Sequence, residues 1–253
     1  MYTFTINSAE DLLNIIHVHY HNKKPFSLVR IGDGENFILA QNTVHTVQEL
    51  IGMYNVVAGN KYSGIAIPNI EARDRLLDAV RRATVVGFLN QRDNYCWYPM
   101  TEKIFNHYGL NPPGTCYAFI NYHLVRIPKF YHIFRDAKIL LVGKPMAGLA
   151  KILINRYGFT NITACLNLRH YWDLDIVLQQ MSGIDYQVAL IAAGANAVIV
   201  ALAAMDAGKI GLDLGHAVDN IIIHDGKGEY AWGGTTLPTA PGRQTRLGIR
   251  KPY

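Results

Sequence analysis

Short apolar, β-branched runs alternate along the chain with segments whose apolar positions recur at helical spacing. The runs read FSLVRI, SGIAIP, ATVVGFL, TCYAFI, AKILLVG, NITACL, YQVALIAAG and KIGLDLG. Between them, EARDRLLDAVRRA, AGLAKILINRYG and ANAVIVALAAMDAG show the period of an amphipathic or buried helix. Strands and helices that alternate in this way, at roughly 20 to 30 residues per unit, are typical of βαβ units. The pattern therefore predicts an α/β fold with a largely parallel sheet.

The residues of two predicted strands, 139–143 and 188–193, are nearly all apolar. Strands of this kind are expected where helices cover both faces of a parallel sheet. No internal repeat, low-complexity stretch or linker interrupts the pattern before residue 225. We therefore predict one domain over residues 1–225 and a C-terminal tail over residues 226–253.

Composition narrows the class of protein. Of 253 residues, 50% are hydrophobic and 17% are charged, which is typical of a globular chain. No segment reaches the length of apolar residues that a membrane span needs, and the first residues lack a signal-peptide pattern. Cys96, Cys116 and Cys165 are odd in number, far apart and without a CxxC pair. They fit free thiols in a reducing compartment, so the sequence predicts a cytoplasmic protein.

The formal net charge of +5 is unevenly distributed. Arg243, Arg246, Arg250 and Lys251 crowd into the end of the tail, which is otherwise rich in Gly, Pro and Thr. Such a balance favours anionic partners, whether phosphorylated small molecules, nucleic acid or an acidic membrane surface. Two interpretations of the tail stay open: a partly ordered extension, or an arm that folds over a neighbouring subunit or an anionic acceptor.

Candidate chemistry lies where predicted strands end, because ligands of open parallel sheets bind outside the carboxyl ends of the strands. The first such segment is Arg30-Ile31-Gly32-Asp33-Gly34-Glu35. The glycines permit a tight turn with exposed backbone amides, and the two carboxylates could then reach one divalent cation. The arginine could add a forked contact to phosphate. The alternative is an Asp-Gly turn followed by a glutamate that caps the next helix.

Two further segments each run from a strand through a glycine into a helix. In ILLVGKPMAGLAKIL, Lys144 follows the first glycine, and the spacing matches neither a Walker loop nor GxGxxG. In ALIAAGANAVIV, Gly194 precedes the predicted helix and Asn196 falls in its first turn. Either turn could bind an anion at the helix N-terminus, or could simply pack a strand against a helix.

The fourth segment, KIGLDLGHAVD, places Asp213, His216 and Asp219 after a strand. A histidine at such a position is a candidate ligand or general base, although most histidines are ordinary surface or core residues. The chain has no GxSxG elbow, no HExxH and no RNA-recognition signature. A serine hydrolase, a zinc protease of that type and a nucleic-acid partner are therefore not predicted.

Together and in this order, SLVRIGDGE and ALIAAGANAVIVALAAMDAGKIGLDLGHAVD resemble the GT-D type glycosyltransferases, a family formerly catalogued as a domain of unknown function. The family is marked by Arg-x-Gly-Asp-Gly-Glu at a strand end. Later in the chain it carries Gly-Pro-Thr-Ala, an apolar helix, Gly, and Asp-x-Gly-His. The similarity extends over about residues 10 to 225, so it covers most of the chain.

The resemblance implies a Rossmann-like fold, a nucleotide-sugar donor (usually a UDP-hexose) and a divalent metal, Mn²⁺ or Mg²⁺. Asp33 and Glu35 match the family's Asp-x-Glu element, which binds the metal and the diphosphate, and this gives Asp33 a catalytic role. Arg30 matches the basic residue before that element. Gly32 and Gly34 would let the diphosphate approach the backbone.

In the later motif, Asp213 and His216 match Asp-x-Gly-His and are implied to contribute to the metal or donor site. Gly194 matches the Gly-Pro-Thr-Ala turn, but here the turn continues without Pro or Thr, so Asn196 would have to replace the threonine hydroxyl through its amide. Asn167 loosely matches the family's asparagine after a strand.

The implied reaction moves a hexose to a hydroxyl group of the acceptor. The metal, Arg30 and Lys144 would stabilise the charge that develops on the leaving diphosphate. Asp219, Asp93 or His216 could accept the proton of the acceptor, and the sequence does not choose among them. It also leaves open whether the anomeric centre is inverted or retained.

The partners implied are a UDP-sugar donor and a glycan, glycoprotein or lipid-linked acceptor, with peripheral membrane contact and a homodimer also compatible. Two alternatives remain at this point. One is an NAD-dependent oxidoreductase or nucleotide-dependent phosphotransferase with a Rossmann-like fold. The other is a non-catalytic nucleotide-sugar-binding module in which the acids of the first motif are only turn residues.

Overall fold

The computed structural model describes residues 3–54, 61–90 and 97–224. The predicted tail, with its four basic residues, lies outside these ranges, as does Asp93. Within them, no helix combines the length and the apolar character that crossing a membrane would require.

The described residues form the strands β1 (Phe26–Ile31), β2 (Lys61–Tyr62), β3 (Ile65–Ala66), β4 (Val85–Phe88), β5 (Gly114–Tyr117), β6 (Ile139–Gly143), β7 (Ile162–Leu166), β8 (Val188–Ala192) and β9 (Ile210–Asp213). All of them except β2 and β3 form one seven-stranded sheet in the order β5-β4-β1-β9-β8-β6-β7, in which every neighbouring pair is parallel. The sheet confirms the predicted α/β class.

Helices cover both faces of the sheet, as the apolar strands predicted. The helices are α1 (Ala9–His21), α2 (Asp33–Leu39), α3 (Val47–Tyr54), α4 (Ile70–Arg82), α5 (Trp97–Tyr108), α6 (Ile120–Leu124), α7 (Pro128–Phe134), α8 (Met146–Tyr157), α9 (Leu174–Ser182), α10 (Asn196–Asp206) and α11 (Ala217–His224). A first buried cluster, on one face, contains residues of α2, α4, α5, α9 and α10, and a second, on the other face, contains residues of α1, α6, α7, α8 and α11.

The run SGIAIP does not join the parallel sheet, so this part of the prediction was wrong. Its residues form the second strand of a separate antiparallel hairpin, β2–β3. Ser63 and Gly64 make the two-residue turn, both with positive φ (52° and 88°). Such a turn matches the twist of an antiparallel pair and cannot lead into a parallel crossover.

The two central strands, β1 and β9, continue toward opposite faces of the sheet. Phe37 and Ile38 of α2, which follows β1, pack into the first buried cluster. Val218 and Ile221 of α11, which follows β9, pack into the second. Diverging connections of this kind open a crevice at the carboxyl ends of the two strands, which is where α/β proteins bind ligands.

Candidate active site at the centre of the sheet

A buried ion pair joins the ends of the two central strands. Arg30 in β1 donates from Nη2 to Asp213 Oδ1 of β9 at 2.8 Å and from Nε to the carbonyl of the same aspartate at 3.0 Å. Its Nη1 donates to the carbonyl of Ala118 at 3.4 Å. The side chains are only 15% and 4% exposed, so the pair is largely shielded from water. The guanidinium is thus engaged mainly with Asp213, and the contact with phosphate that the sequence suggested stays a prediction.

Gly215 explains how the guanidinium fits beneath the loop that follows β9. The glycine has φ +47°, and a Cβ on it would lie 2.0 Å from Arg30 Nη2. A side chain here would therefore displace the arginine from its partner. The residues near this glycine in the DLGH motif were predicted from the sequence as site residues, but the glycine itself was missed.

Asp33 and Glu35 lie in the turn from β1 into α2. Glu35 Oε2 accepts a hydrogen bond from the amide of Gly32 at 2.8 Å, and Asp33 Oδ1 accepts one from the amide of Gly34 at 2.8 Å. Gly32 is the residue that caps α2. The helix-capping alternative for Glu35 is therefore realised, while Asp33 remains exposed at the mouth of the crevice.

Negative charge accumulates where these residues meet. Burial raises the pKa of Glu35 to about 7, and the carboxylates of Asp213 and Asp33 contribute to that rise. Burial also raises the pKa of Asp213, although the contact with Arg30 opposes that rise. A cation placed beside these groups would relieve the repulsion, since an opposite charge favours the ionised form of a carboxyl group.

The carboxylate oxygens of this cluster fit a hard cation whose coordination shell is completed by a bound ligand. In the described part of the chain, no group of three or more His, Cys, Asp or Glu side chains is arranged to bind a metal ion. Mg²⁺ commonly takes one or two protein carboxylates and completes its shell with substrate phosphates and water. Asp33 and Glu35 could supply that pair. A third ligand from His216 stays a prediction.

His216 and Asp219 form a hydrogen-bonded pair at the start of α11. His216 Nδ1 lies 2.9 Å from Asp219 Oδ2, and this bond raises the pKa of the imidazole. The two side chains are 65% and 40% exposed. The carboxylate thus fixes the orientation of the ring, and Nε2 is the nitrogen that can act on a substrate.

Asn121 of α6 also supports the site, and no prediction from the sequence included it. It is fully buried, and its Nδ2 donates to the carbonyl of Leu214 at 2.6 Å. The contact fixes the loop between Asp213 and His216. No motif marks Asn121, because its role depends on a packing contact 93 residues away in the chain.

Lys144 and Asn167 are not brought to this centre. Lys144 follows β6 and Asn167 follows β7, three and four strands away from β1 in the sheet order. At the usual spacing of neighbouring strands, these separations are roughly 14 and 19 Å. Both side chains are exposed. Contact of these residues with an extended donor stays a prediction.

Gly194 and Asn196 lie at the same edge of the sheet, but the β2–β3 hairpin covers them. The amide of Ala195 donates to the carbonyl of Ser63 at 3.0 Å. Gly194 has φ +57°, and a Cβ there would lie 2.3 Å from that same carbonyl oxygen. Asn196 is fully buried. The turn is thus closed by the hairpin in this conformation.

Comparison with known proteins identifies relatives of this fold. The family model described as a GT-D fold-like domain matches residues 7–221. No curated protein matches the chain in sequence.

Among solved structures, a glycosyltransferase (DUF1792) from Streptococcus sanguinis superposes with a TM-score of 0.57 at 14% identity, covering 93% of this chain and 91% of that chain. A structure described as the highly conserved domain of unknown function 1792 with a distinct glycosyltransferase fold gives 0.53 at 14% identity, covering 83% and 77%. The shared architecture is therefore that of a glycosyltransferase fold.

Proposed function

The chain belongs to the GT-D fold-like domain family, and from that premise we propose that it is a metal-dependent glycosyltransferase. It would move a hexose from a nucleotide sugar, UDP-linked, to a glycan, glycoprotein or lipid-linked acceptor. The observation that carries the proposal is the cluster of Arg30, Asp33, Glu35 and Asp213 at the carboxyl ends of the two central strands. Acidic groups around a buried arginine, in a crevice of this kind, suit a cation and a diphosphate.

In this proposal Arg30 holds Asp213 in position and neutralises its charge at the buried side of the crevice. Asp33 and Glu35 would hold Mn²⁺ or Mg²⁺, which when bound supplies positive charge to the leaving diphosphate. Burial raises the pKa of Glu35 to about 7, so near neutral pH the positive charge of a bound metal would favour its ionised form. The amides of Gly32 and Gly34 already donate to the carboxylates of Glu35 and Asp33, so an approach of the phosphates to this backbone stays a prediction from the sequence.

His216 is the best-supported general base. Its Nε2 would take the proton of the acceptor hydroxyl, while Asp219 stabilises the resulting imidazolium through Nδ1. Of the three candidates from the sequence, Asp93 lies outside the described residues. Asp219 is already bonded to the imidazole, which suits it to orient the ring.

Calorimetry of UDP in the presence of Mn²⁺ tests the donor and metal assignment. We expect the wild type to bind UDP only with the metal and Asp33→Asn to lose this binding while keeping the same melting temperature, because the Asp33 side chain is exposed. Asp185→Asn serves as the control, since Asp185 precedes β8 at the opposite edge of the sheet. Wild-type affinity in Asp33→Asn would refute the metal role.

The same protein distinguishes the alternatives by thermal shift. A rise in melting temperature with NAD, and none with UDP and Mn²⁺, would identify an oxidoreductase. If the protein binds UDP-sugars but neither hydrolyses them nor transfers the sugar to any acceptor tested, it is a binding module.

A further inference from the structure

The turn of the β2–β3 hairpin, Ser63 and Gly64 (hereafter the tip), lies between two loops at the carboxyl edge of the sheet. On one side, the carbonyl of Ser63 accepts from the amide of Ala195 at 3.0 Å. On the other, the carbonyl of Gly64 accepts from the amide of Tyr171 at 3.0 Å. The tip thus bridges the loop after β7 and the turn before α10.

Beneath the tip, the amide of Asn196 is enclosed by the protein. The side chain is fully buried, and within the described structure neither Oδ1 nor Nδ2 has a partner. A Cβ on Gly64 would lie 3.2 Å from Nδ2, so the amide points at the tip. Buried amides are nearly always hydrogen-bonded, because leaving them unpaired costs their full desolvation. The amide group is therefore suited to a ligand rather than to the closed protein.

A second polar atom in the same region has the same character. His170, one residue before Tyr171, has a buried Nδ1 that lacks a hydrogen-bond partner among the described residues. Its ring stacks on Trp172 with centroids 4.3 Å apart. In the described structure, the loop before Tyr171 and the first turn of α10 therefore each carry at least one buried polar atom without a hydrogen-bond partner.

We propose that the tip is a cover that opens to admit the nucleotide-sugar donor, and that the Asn196 amide then binds the donor directly. This inference rests on the proposed function. An amide presents a hydrogen-bond donor and an acceptor side by side, so it is complementary to a group that does the same. A vicinal pair of sugar hydroxyls has this chemistry, as does the imide edge of uracil.

The location agrees with such a ligand. Asn196 follows β8, which is two strands from β1, or roughly 10 Å. A donor whose diphosphate lies near Asp33 can extend over that distance to bring its nucleoside or its hexose to the amide. Among the described residues, opening breaks the hydrogen bonds that the amides of Ala195 and Tyr171 donate to the tip. Ile65, the next residue, is fully buried in the first cluster, so the movement is confined to the tip itself.

Replacing Asn196 by leucine, which has a similar shape and no polar atoms, tests the role of the amide. We expect Asn196→Leu to unfold at the same or a higher temperature without ligand, since no buried polar group is left unpaired. We expect its affinity for the donor in Mn²⁺ to fall about tenfold, or by about 1.4 kcal/mol. A fall for UDP as well as UDP-glucose assigns the amide to the nucleoside, and a fall for UDP-glucose alone assigns it to the hexose.

Gly64→Ala tests the cover. Its Cβ would lie 3.0 Å from the carbonyl oxygen of Arg169, and its φ of +88° disfavours a side chain, so the closed tip is destabilised. If closure competes with binding, UDP-glucose binds several-fold more tightly, because a larger fraction of molecules is open. Gly208→Ala is the matched control, with φ +75° and no atom within 4 Å. The gain should disappear when Asn196→Leu is added.

Three outcomes overturn the inference. Loss of thermal stability in Asn196→Leu would show that the amide is satisfied in the free protein. Unchanged affinity in that variant for both probes would show that the amide does not contact the donor. Equal affinities of Gly64→Ala and Gly208→Ala would show that the tip is not a cover. In each case wild-type binding of UDP-glucose would leave the proposed function intact, whereas a wild type that binds neither probe would refute both.

Discussion

Gly215→Ala should be far more damaging than its small change in size suggests. The new Cβ would lie 2.0 Å from Arg30 Nη2, in the position that the guanidinium needs for its bond to Asp213. Alanine at φ +47° adds about 1 kcal/mol of backbone strain. Displacing the guanidinium removes charge-assisted hydrogen bonds worth about 1.5 to 3 kcal/mol. We therefore expect a total loss of about 2.5 to 4 kcal/mol in the free energy of unfolding.

The assay is urea denaturation at neutral pH, monitored by circular dichroism, with Gly208→Ala as the control. Gly208 has φ +75°, and no atom lies within 4 Å of the position that a Cβ would take, so its substitution reports backbone strain alone, about 1 kcal/mol. The difference between the two variants, about 1.5 to 3 kcal/mol, measures the contact with Arg30. Equal losses in the two variants would refute the reasoning.

A second comparison isolates the ion pair. In an Arg30→Met/Asp213→Leu background both charges are gone, and exchanging a buried pair for apolar residues is often tolerated. Gly215→Ala should then cost only the backbone strain. If it costs as much as in the wild type, the clash involves some group other than the guanidinium.

Three further predictions concern the site and the tail. His216→Ala should lower turnover about 100-fold with little change in melting temperature, and unfolding of this variant would contradict a role as general base. Asp219→Asn should move the acidic limb of the pH profile of kcat/KM to lower pH, because Asp219 raises the pKa of His216. An acidic limb that does not move would contradict the role of Asp219. In metal-free buffer the wild type should lose up to about 3 kcal/mol of free energy of unfolding as the pH rises from 4.5 to 7, relative to Glu35→Gln. The reason is that the raised pKa of Glu35 stabilises the folded protein only while Glu35 holds its proton. Parallel pH profiles of the two proteins in urea denaturation would refute the pKa shift. Truncation after residue 224 should raise the apparent KM for the acceptor while sparing UDP-sugar hydrolysis without acceptor, and an unchanged KM together with an unchanged oligomer in light scattering would make the tail a passive extension.

Hydrophobic patterning predicted the sheet because a strand buried on both faces is apolar throughout, and seven of the eight predicted runs lie in it. The exception, SGIAIP, contains apolar, β-branched residues like those of a buried strand. Its Ser63-Gly64 turn carried the contrary signal, since two residues between short strands favour a hairpin. Apolar content alone does not separate the two.

The central site was predictable in part because parallel strands place their carboxyl ends at one edge. That rule brought Arg30, Asp33 and Asp213 together without knowledge of the strand order. The strand order, which no local sequence pattern indicates, separates Lys144 and Asn167 from the centre. The burial of Asn196 depends on the hairpin, so the residues around it in the sequence do not indicate a cover.

The position of β1 between β4 and β9 also has a consequence for how the chain folds. β1 can pair with β4 once residues 85–88 have been synthesised, but its partner on the other edge, residues 210–213 of β9, leaves the ribosome much later. Arg30 and Asp213 are 183 residues apart, so the guanidinium stays without its counter-charge for the same interval. Contacts between distant residues form slowly, and an unpaired apolar edge promotes aggregation. We therefore expect the crevice at the ends of β1 and β9 to be among the last parts of the molecule to form, and nascent chains that end before β9 to need protection by chaperones.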